Sequence, residues 1–178
     1  MNNAHQQTAL MTYFNQIAPE RSVWKQRNRL YHQTLEDYYS FTIPEGSSVL
    51  EIGCGTGDLL NAVKPSRGVG IDFASKMVEI AAQKHPHLTF LCANAEDFKV
   101  EGQFDYIILS DVLCSLLDIQ KVLSNIKPAC HLRTKLIISN YNFVWEPVLR
   151  FGEKIGLKQQ QPVQNWLSYS DIENLLKV

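Results

Sequence analysis

Residues 49–60 read VLEIGCGTGDLL: a strand-like apolar run carrying Glu51, glycines at 53, 55 and 57, then Asp58 and a leucine pair. Glycine admits positive φ and, lacking Cβ, lets a ligand approach the backbone closely. A helix starting near Asp58 adds unpaired backbone N–H groups in its first turn. In an open parallel sheet, ligands bind beyond the carboxyl ends of the strands, where the first strand meets its helix. The stretch therefore reads as a strand, a ligand-binding turn at Gly53, Gly55 and Gly57, and a helix.

The spacing narrows the ligand. A dinucleotide fingerprint is G-x-G-x-x-G with a pyrophosphate on the helix N-terminus; here the pattern is G-x-G-x-G, and Asp58 would set a negative charge against that anion. A zwitterionic or cationic ligand carrying an adenosine fits better, and a nicotinamide oxidoreductase is disfavoured.

Outward from this turn the chain alternates. Strand SVLEI (48–52) and the helix from Asp58 are followed by strand GVGID (68–72), helix SKMVEIAAQKH (75–85) and strand LTFLCA (88–93). Strand DYIILS (105–110), helix DIQKVLSNIK (118–127) and strand KLIIS (135–139) complete the series. Apolar strands without polar alternation, separated by helices, predict a mainly parallel sheet covered on both faces. The fold class is α/β, a Rossmann-like doubly wound sheet with right-handed crossovers. Ahead of it, apolar residues at helical spacing predict one long helix from Glu20 to Tyr39 and a shorter one over Thr8 to Ile17, with Pro19 between them. Behind it, KQQQPVQ (158–164) reads as a loop, and SDIENLL (170–176) as a last helix opened by a capping box of Ser170 and Glu173.

At 178 residues the chain fits a single domain, 1–178, with one core. A net charge of −1 gives no bulk electrostatic reason to bind nucleic acid or an anionic membrane, and no apolar stretch approaches spanning length. Cys54, Cys92, Cys114 and Cys130 include no C-x-x-C pair, which argues against zinc or a redox dithiol and for reduced thiols in a cytoplasmic protein. The N-terminus lacks the basic and apolar regions of a secretory signal.

Four motifs in order then resemble the class I S-adenosylmethionine-dependent methyltransferases. VLEIGCGTG looks like their first motif and GVGIDFASKMVEIAA like their second. LTFLCANAEDF resembles the adenine-side motif, and FDYIILSDVLCSLLD the fourth strand with its following loop. The resemblance implies strand order 3-2-1-4-5, S-adenosylmethionine as cofactor, and methyl transfer to a small-molecule or saccharide or lipid-linked acceptor. A truncated module that binds the cofactor without turnover is the alternative.

Residue by residue, the resemblance places Glu51, Gly53, Cys54, Gly55 and Gly57 around the cofactor. Asp72 accepts both ribose hydroxyls, which two carboxylate oxygens can do through charge-assisted hydrogen bonds. Its loss is expected to leave the unliganded fold nearly untouched, because Ser75 makes a better N-cap for the next helix. Phe73 and Met77 wall the adenosine, with a core role for Met77 nearly as well supported. Asn94 and Ala95 border the adenine; the family usually has Asp where Asn94 stands, and a neutral acceptor is weaker. Ser110 and Asp111 lie over the methionine end. Cys54 reads as a small residue in a tight loop, since no adjacent His or Lys would activate it as a nucleophile.

The sulfonium methyl is already activated, so a base is optional. His32 and Asp111 are the weak catalytic candidates, His32 within a polar stripe with Lys25, Arg29 and Glu36 that reads as a solvated face. Asp111 with Asn140 gives only one carboxylate, too few oxygen ligands for a metal. The flanks look like bacterial methyltransferase modules that accompany or are fused to glycosyltransferases. That likeness makes residues 1–43 a helical lid, 47–140 the cofactor core and 141–178 the acceptor side. It turns Tyr13, Arg27 and Arg29 toward the cofactor carboxylate, and Tyr141, Trp145 and Trp166 toward the acceptor. KPACHLRTK stands where the family turn has Pro-Gly-Gly, so that turn must be built differently at Ala129 and Cys130. The family's C-terminal strand hairpin is missing here, which leaves the fifth-strand edge open to a second copy or a fused neighbouring domain.

Overall fold

The computed structural model describes residues 3–141, 144, 146–156 and 165–177. Three helices come first: α1 (Asn3–Ile17), α2 (Arg21–Arg27) and α3 (Arg29–Thr42), with a 3-10 turn at Ala18–Glu20. The core follows as β1 (Ser48–Ile52), α4 (Asp58–Ala62), β2 (Arg67–Asp72), α5 (Ser75–Lys84), β3 (Thr89–Cys92), β4 (Phe104–Ser110), α6 (Ile119–Ile126) and β5 (Cys130–Ser139). Helices α7 (Glu146–Lys154) and α8 (Tyr169–Leu176) close the chain.

The strands form one sheet in the order β3-β2-β1-β4-β5, each pairing parallel with its neighbour. Successive side chains on a strand point to opposite faces, and both faces are buried. Leu50, Ile52, Ile107 and Leu109 pack with Val122 and Ile126 of α6 on one side, while Val49 and Ile108 pack with Tyr39 of α3 and Leu60 of α4 on the other. The run of apolar strand residues is thus explained by two covering layers.

Four expectations are corrected. The long opening helix is broken at Asn28, where ψ turns to 31° and the side-chain amide donates to the Trp24 carbonyl, the local competition by which Asn interrupts a helix. The fifth strand starts at Cys130, five residues early, straight from a 3-10 turn at Lys127–Ala129. Its register slips between Phe104 and Tyr106, and Thr134 Oγ1 bridges the irregularity by donating to the Phe104 carbonyl and accepting from the His131 N–H. The last capping box is formed by Ser168 and Asp171, not Ser170 and Glu173; the S-x-x-D pair two residues earlier starts the helix first, leaving Ser170 inside it. Ala74, not Ser75, is the N-cap of α5, and the Lys76 N–H is taken instead by Asn15 Oδ1 of α1 at 2.9 Å. The glutamine-rich segment 158–164 and Trp145 lie outside the described residues.

Candidate functional site

The turn after β1 is fastened to the end of β2. The N–H groups of Gly53 and Cys54 both donate to the Ile71 carbonyl, at 2.7 and 3.1 Å, and the Gly55 N–H donates to Asp72 Oδ2 at 2.9 Å. Gly53 has φ of 74°, and a Cβ there would run into the Val112 side chain. Gly55 has φ of 53°, and a Cβ there would meet nothing within 4 Å: the backbone is bare where it borders open space.

That space is a cavity of about 620 Å³, within the range of small-molecule sites. Its floor is the carboxyl end of the sheet, with Gly53, Gly55, Asp72, Phe73, Asn94, Ala95, Ser110 and Asp111 in the wall. Leu10 and Phe14 of α1, Arg21 and Trp24 of α2, and Tyr31 and His32 of α3 cover it, while Tyr141, α7 and Trp166 form the far side. Met77 serves both readings: it lines the cavity, yet it is 2% exposed and packs with Phe14 and Ile17, seating α1 on α5. Phe14 meets Phe73 edge-on, ring centroids 5.6 Å apart.

Glu51, Cys54 and Gly57 lie behind this wall rather than in it. Glu51 and Cys54 border a separate cleft of about 80 Å³ under α2 and α3. Gly57 precedes α4, where a Cβ would strike the Phe90 ring. Glu51 is 3% exposed with Oε2 unpartnered, and burial pushes its carboxyl up to about 8. Burial also raises the Cys54 thiol well above its usual value, the opposite of what a nucleophile requires.

Asp58 does not confront a ligand. Its carboxylate pairs with Lys25 of α2 and Lys84 of α5 and accepts from Thr56 Oγ1; Lys25 leads the groups that hold its carboxyl well below the usual range despite burial. The charge argument against a pyrophosphate therefore fails at this residue, because two lysines neutralise it. The stripe of Lys25, His32 and Glu36 is likewise no solvated face: all three border the small cleft, and only Arg29 is fully exposed. Burial, reinforced by Lys25 and Arg21, lowers His32 to about 4, so it is neutral at pH 7.

Asp72 has more structural work than the sequence suggested. Besides the Gly55 N–H it accepts the Ala74 N–H on Oδ1 at 2.9 Å, joining the glycine turn to the start of α5. Burial raises its carboxyl, opposed by those N–H groups and by Arg21. Asp111 sits at φ of 53°, uncommon for a residue with a side chain. It accepts the Tyr31 hydroxyl, and Tyr31 stacks on Tyr141 at 5.4 Å and 21°. Burial raises Asp111 and brings Tyr141 to about 12. Asn94 lines the wall with its Oδ1 turned onto the Glu96 N–H at 2.9 Å. Arg27 and Arg29 are exposed, Arg27 over the Trp24 ring; Tyr13 is not in the wall. Among the wall residues that sequence reasoning missed, with Tyr31 and Trp24, is Arg21, which lines both hollows. Its only sequence signal is its place one helical turn before Lys25.

A family model described as a methyltransferase domain matches residues 23–177. The chain belongs to the methyltransferase-domain family. Over 137 residues, 66% of this chain, it is 27% identical to a ubiquinone/menaquinone biosynthesis C-methyltransferase of Campylobacter jejuni, of whose length it covers 57%. Over 98 residues, 52% of this chain, it is 34% identical to a malonyl-[acyl-carrier protein] O-methyltransferase of Bacillus cereus, covering 36% of that protein. The chain thus spans little more than half the length of the first of these relatives. The fold is shared with a SAM-dependent methyltransferase of Thermotoga maritima, at TM-score 0.78 and 19% identity over 94% of this chain and 79% of that one. It is also shared with the magnesium protoporphyrin IX methyltransferase of Synechocystis, at TM-score 0.70 and 21% identity over 97% and 87%.

Proposed function

We propose that this chain binds S-adenosylmethionine in the cavity above the glycine turn and transfers its methyl group to a small-molecule, saccharide or lipid-linked acceptor. The observation that carries this is the pairing of Gly55, bare of Cβ beside open space, with the Asp72 carboxylate at the end of β2. The residues fit the group. Asp72 retains acceptor capacity for ribose hydroxyls beyond its two backbone bonds, Phe73 and Met77 offer apolar walls to adenine, and Asn94 and Ala95 border its edge. Gly53, Ser110 and Asp111 take the methionine end, with Glu51, Cys54 and Gly57 supporting the turn from behind.

When bound, S-adenosylmethionine supplies an electrophilic methyl on a sulfonium centre. What the chain adds is orientation and exclusion of water. Helices α1 to α3 act as the lid, and Tyr141 and Trp166 face the acceptor half. Of the wall groups able to take a proton, Asp111 and the neutral His32 are the candidates for taking it from an acceptor. The flanks support a role beside glycosyltransferases in the cytoplasm, and the β5 edge supports pairing with a second copy or a neighbouring domain.

The test is thermal unfolding with S-adenosylhomocysteine and with NADH, since a ligand that binds the native state raises Tm by mass action. S-adenosylhomocysteine raises Tm and NADH does not. A shift with NADH alone overturns the reading.

A further inference from the structure

We infer that the acceptor half of the cavity takes an uncharged, apolar molecule rather than a saccharide or an anion, and that one stripe of α7 makes this selection; this rests on the reading that S-adenosylmethionine binds here. Val148 and Phe151 lie on α7, and the Ile155 N–H donates to the Phe151 carbonyl, carrying the helical turn one step further. At that spacing the three side chains share one face, and all three line the same cavity as Gly55 and Asp72. They are nonetheless 57%, 61% and 53% exposed. Large apolar side chains in this position are stabilised by an apolar occupant, which takes their surface out of water.

The charged groups of the wall stand elsewhere. Arg21 and Asp111 also border the small cleft at the glycine turn, and Asp72 is tied to Gly55 and Ala74. Glu96 turns Oε1 onto the N–H groups of Leu117 and Asp118, each at 3.1 Å. The charged residues of α7 itself, Glu146, Arg150, Glu153 and Lys154, are not in the wall, and Arg150 pairs with Glu146 at 2.6 Å. An anionic acceptor beside this helix would give up its hydration and meet no cation from it, a cost that an uncharged molecule escapes.

Hydrogen bonding points the same way. A saccharide presents a hydroxyl on nearly every carbon, and each one buried needs a partner. The two Asn amides on this side already donate to the backbone. Asn165 Nδ2 donates to the Leu113 and Leu116 carbonyls at 3.3 and 2.6 Å, and Asn140 Nδ2 to the Tyr141 carbonyl at 3.1 Å. Beside the α7 stripe stand the rings of Tyr141 and Trp166. Because the stripe shares one cavity with the glycine turn, its occupant is a molecule small enough to lie there with the cofactor, not a protein surface.

Calorimetric titration of the full chain saturated with S-adenosylhomocysteine tests this, with 2-naphthol, 2-naphthoate and glucose as probes. The first two differ by a hydroxyl against a carboxylate on the same rings. 2-Naphthol is expected to bind at least about tenfold tighter than 2-naphthoate, and glucose not to bind. Phe151→Asp is expected to weaken 2-naphthol by at least about tenfold, while S-adenosylhomocysteine affinity changes by less than about twofold. Because Phe151 is exposed, the unliganded Tm should stay as in wild type. Absence of 2-naphthol binding, binding indifferent to Phe151→Asp, or glucose or 2-naphthoate bound as tightly, overturns the assignment and leaves the cofactor reading intact. A dimer in light scattering that Phe151→Asp dissociates gives the stripe to a second copy and overturns the assignment too. Failure of the wild type to bind S-adenosylhomocysteine sinks the cofactor reading itself.

Discussion

Asp72 takes the Gly55 N–H across 2.9 Å and the Ala74 N–H across another 2.9 Å, so one carboxylate holds the glycine turn and the start of α5 in register. Replacing it removes both acceptors. Asp72→Ala is expected to cost the unliganded fold about 1–3 kcal/mol, the penalty for leaving buried donors unmet. It should also weaken S-adenosylhomocysteine by about ten- to a hundredfold. Urea unfolding and calorimetry read the two effects separately. An unfolding free energy equal to wild type would show that the turn is held without Asp72.

Burial moves Glu51 from 4.5 to about 8 and His32 from 6.5 to about 4, and the two act on stability with opposite signs. Between pH 4.5 and 8 the folded chain keeps a proton on Glu51 that the unfolded chain releases, so stability falls as pH rises through that window. Between pH 4 and 6.5 the unfolded chain holds a proton on His32 that the folded chain lacks, so stability rises with pH. The slopes oppose each other up to pH 6.5, and above it the Glu51 decline stands alone, at up to about 1.4 kcal/mol per pH unit. Glu51→Gln is expected to flatten the fall between pH 6.5 and 8 in urea titrations. An identical fall in both proteins would refute a buried, protonated Glu51.

The sheet was legible because its signals are local. Apolar runs such as YIILS and GVGID announce strands buried on both faces, and their alternation with helices sets a parallel topology. Gly53 and Gly55 were legible for the same reason, since a positive φ favours glycine whatever surrounds it. What the sequence hid depends on contacts far along the chain. Asp58 reads as a bare charge until Lys25 and Lys84 arrive from two other helices. His32 and Lys25 read as solvated until the fold, with its helix break at Asn28, sets both against the cleft behind the glycine turn. Arg21 carries no motif at all, and only the packing of α2 over the sheet edge brings it to the cavity.

The Lys25–Asp58 pair is a charged tie between the opening helices and the glycine turn, with side chains 21% and 18% exposed. Asp58→Asn is expected to lower stability by about 1–2 kcal/mol, more than an exposed pair contributes because the lysines are left beside a neutral partner. The loss should concentrate in the lid. Trypsin should therefore cut after Lys25 and Arg27 sooner than in wild type, since proteolysis follows local opening. Equal cleavage rates at those sites would show that apolar packing of α1 on α5 holds the lid by itself.

Asn94 commits one lone pair of its side-chain oxygen to the Glu96 N–H at 2.9 Å, which leaves its amide nitrogen, a donor, as the wholly unengaged group to meet a ligand. Adenine presents an amino group at that edge in the proposed pose, and two donors do not pair. Asn94→Asp keeps one oxygen for Glu96 and frees a second, charged acceptor for the amino group. Binding of S-adenosylhomocysteine is expected to tighten by up to about 1 kcal/mol, roughly fivefold, in keeping with the strength of a charged over a neutral acceptor. Inosine-containing S-inosylhomocysteine, which carries a carbonyl in place of that amino group, should gain nothing and lose affinity to the added charge. Titration of both ligands against both proteins isolates the single contact. Equal changes for the two ligands would place Asn94 away from the adenine edge.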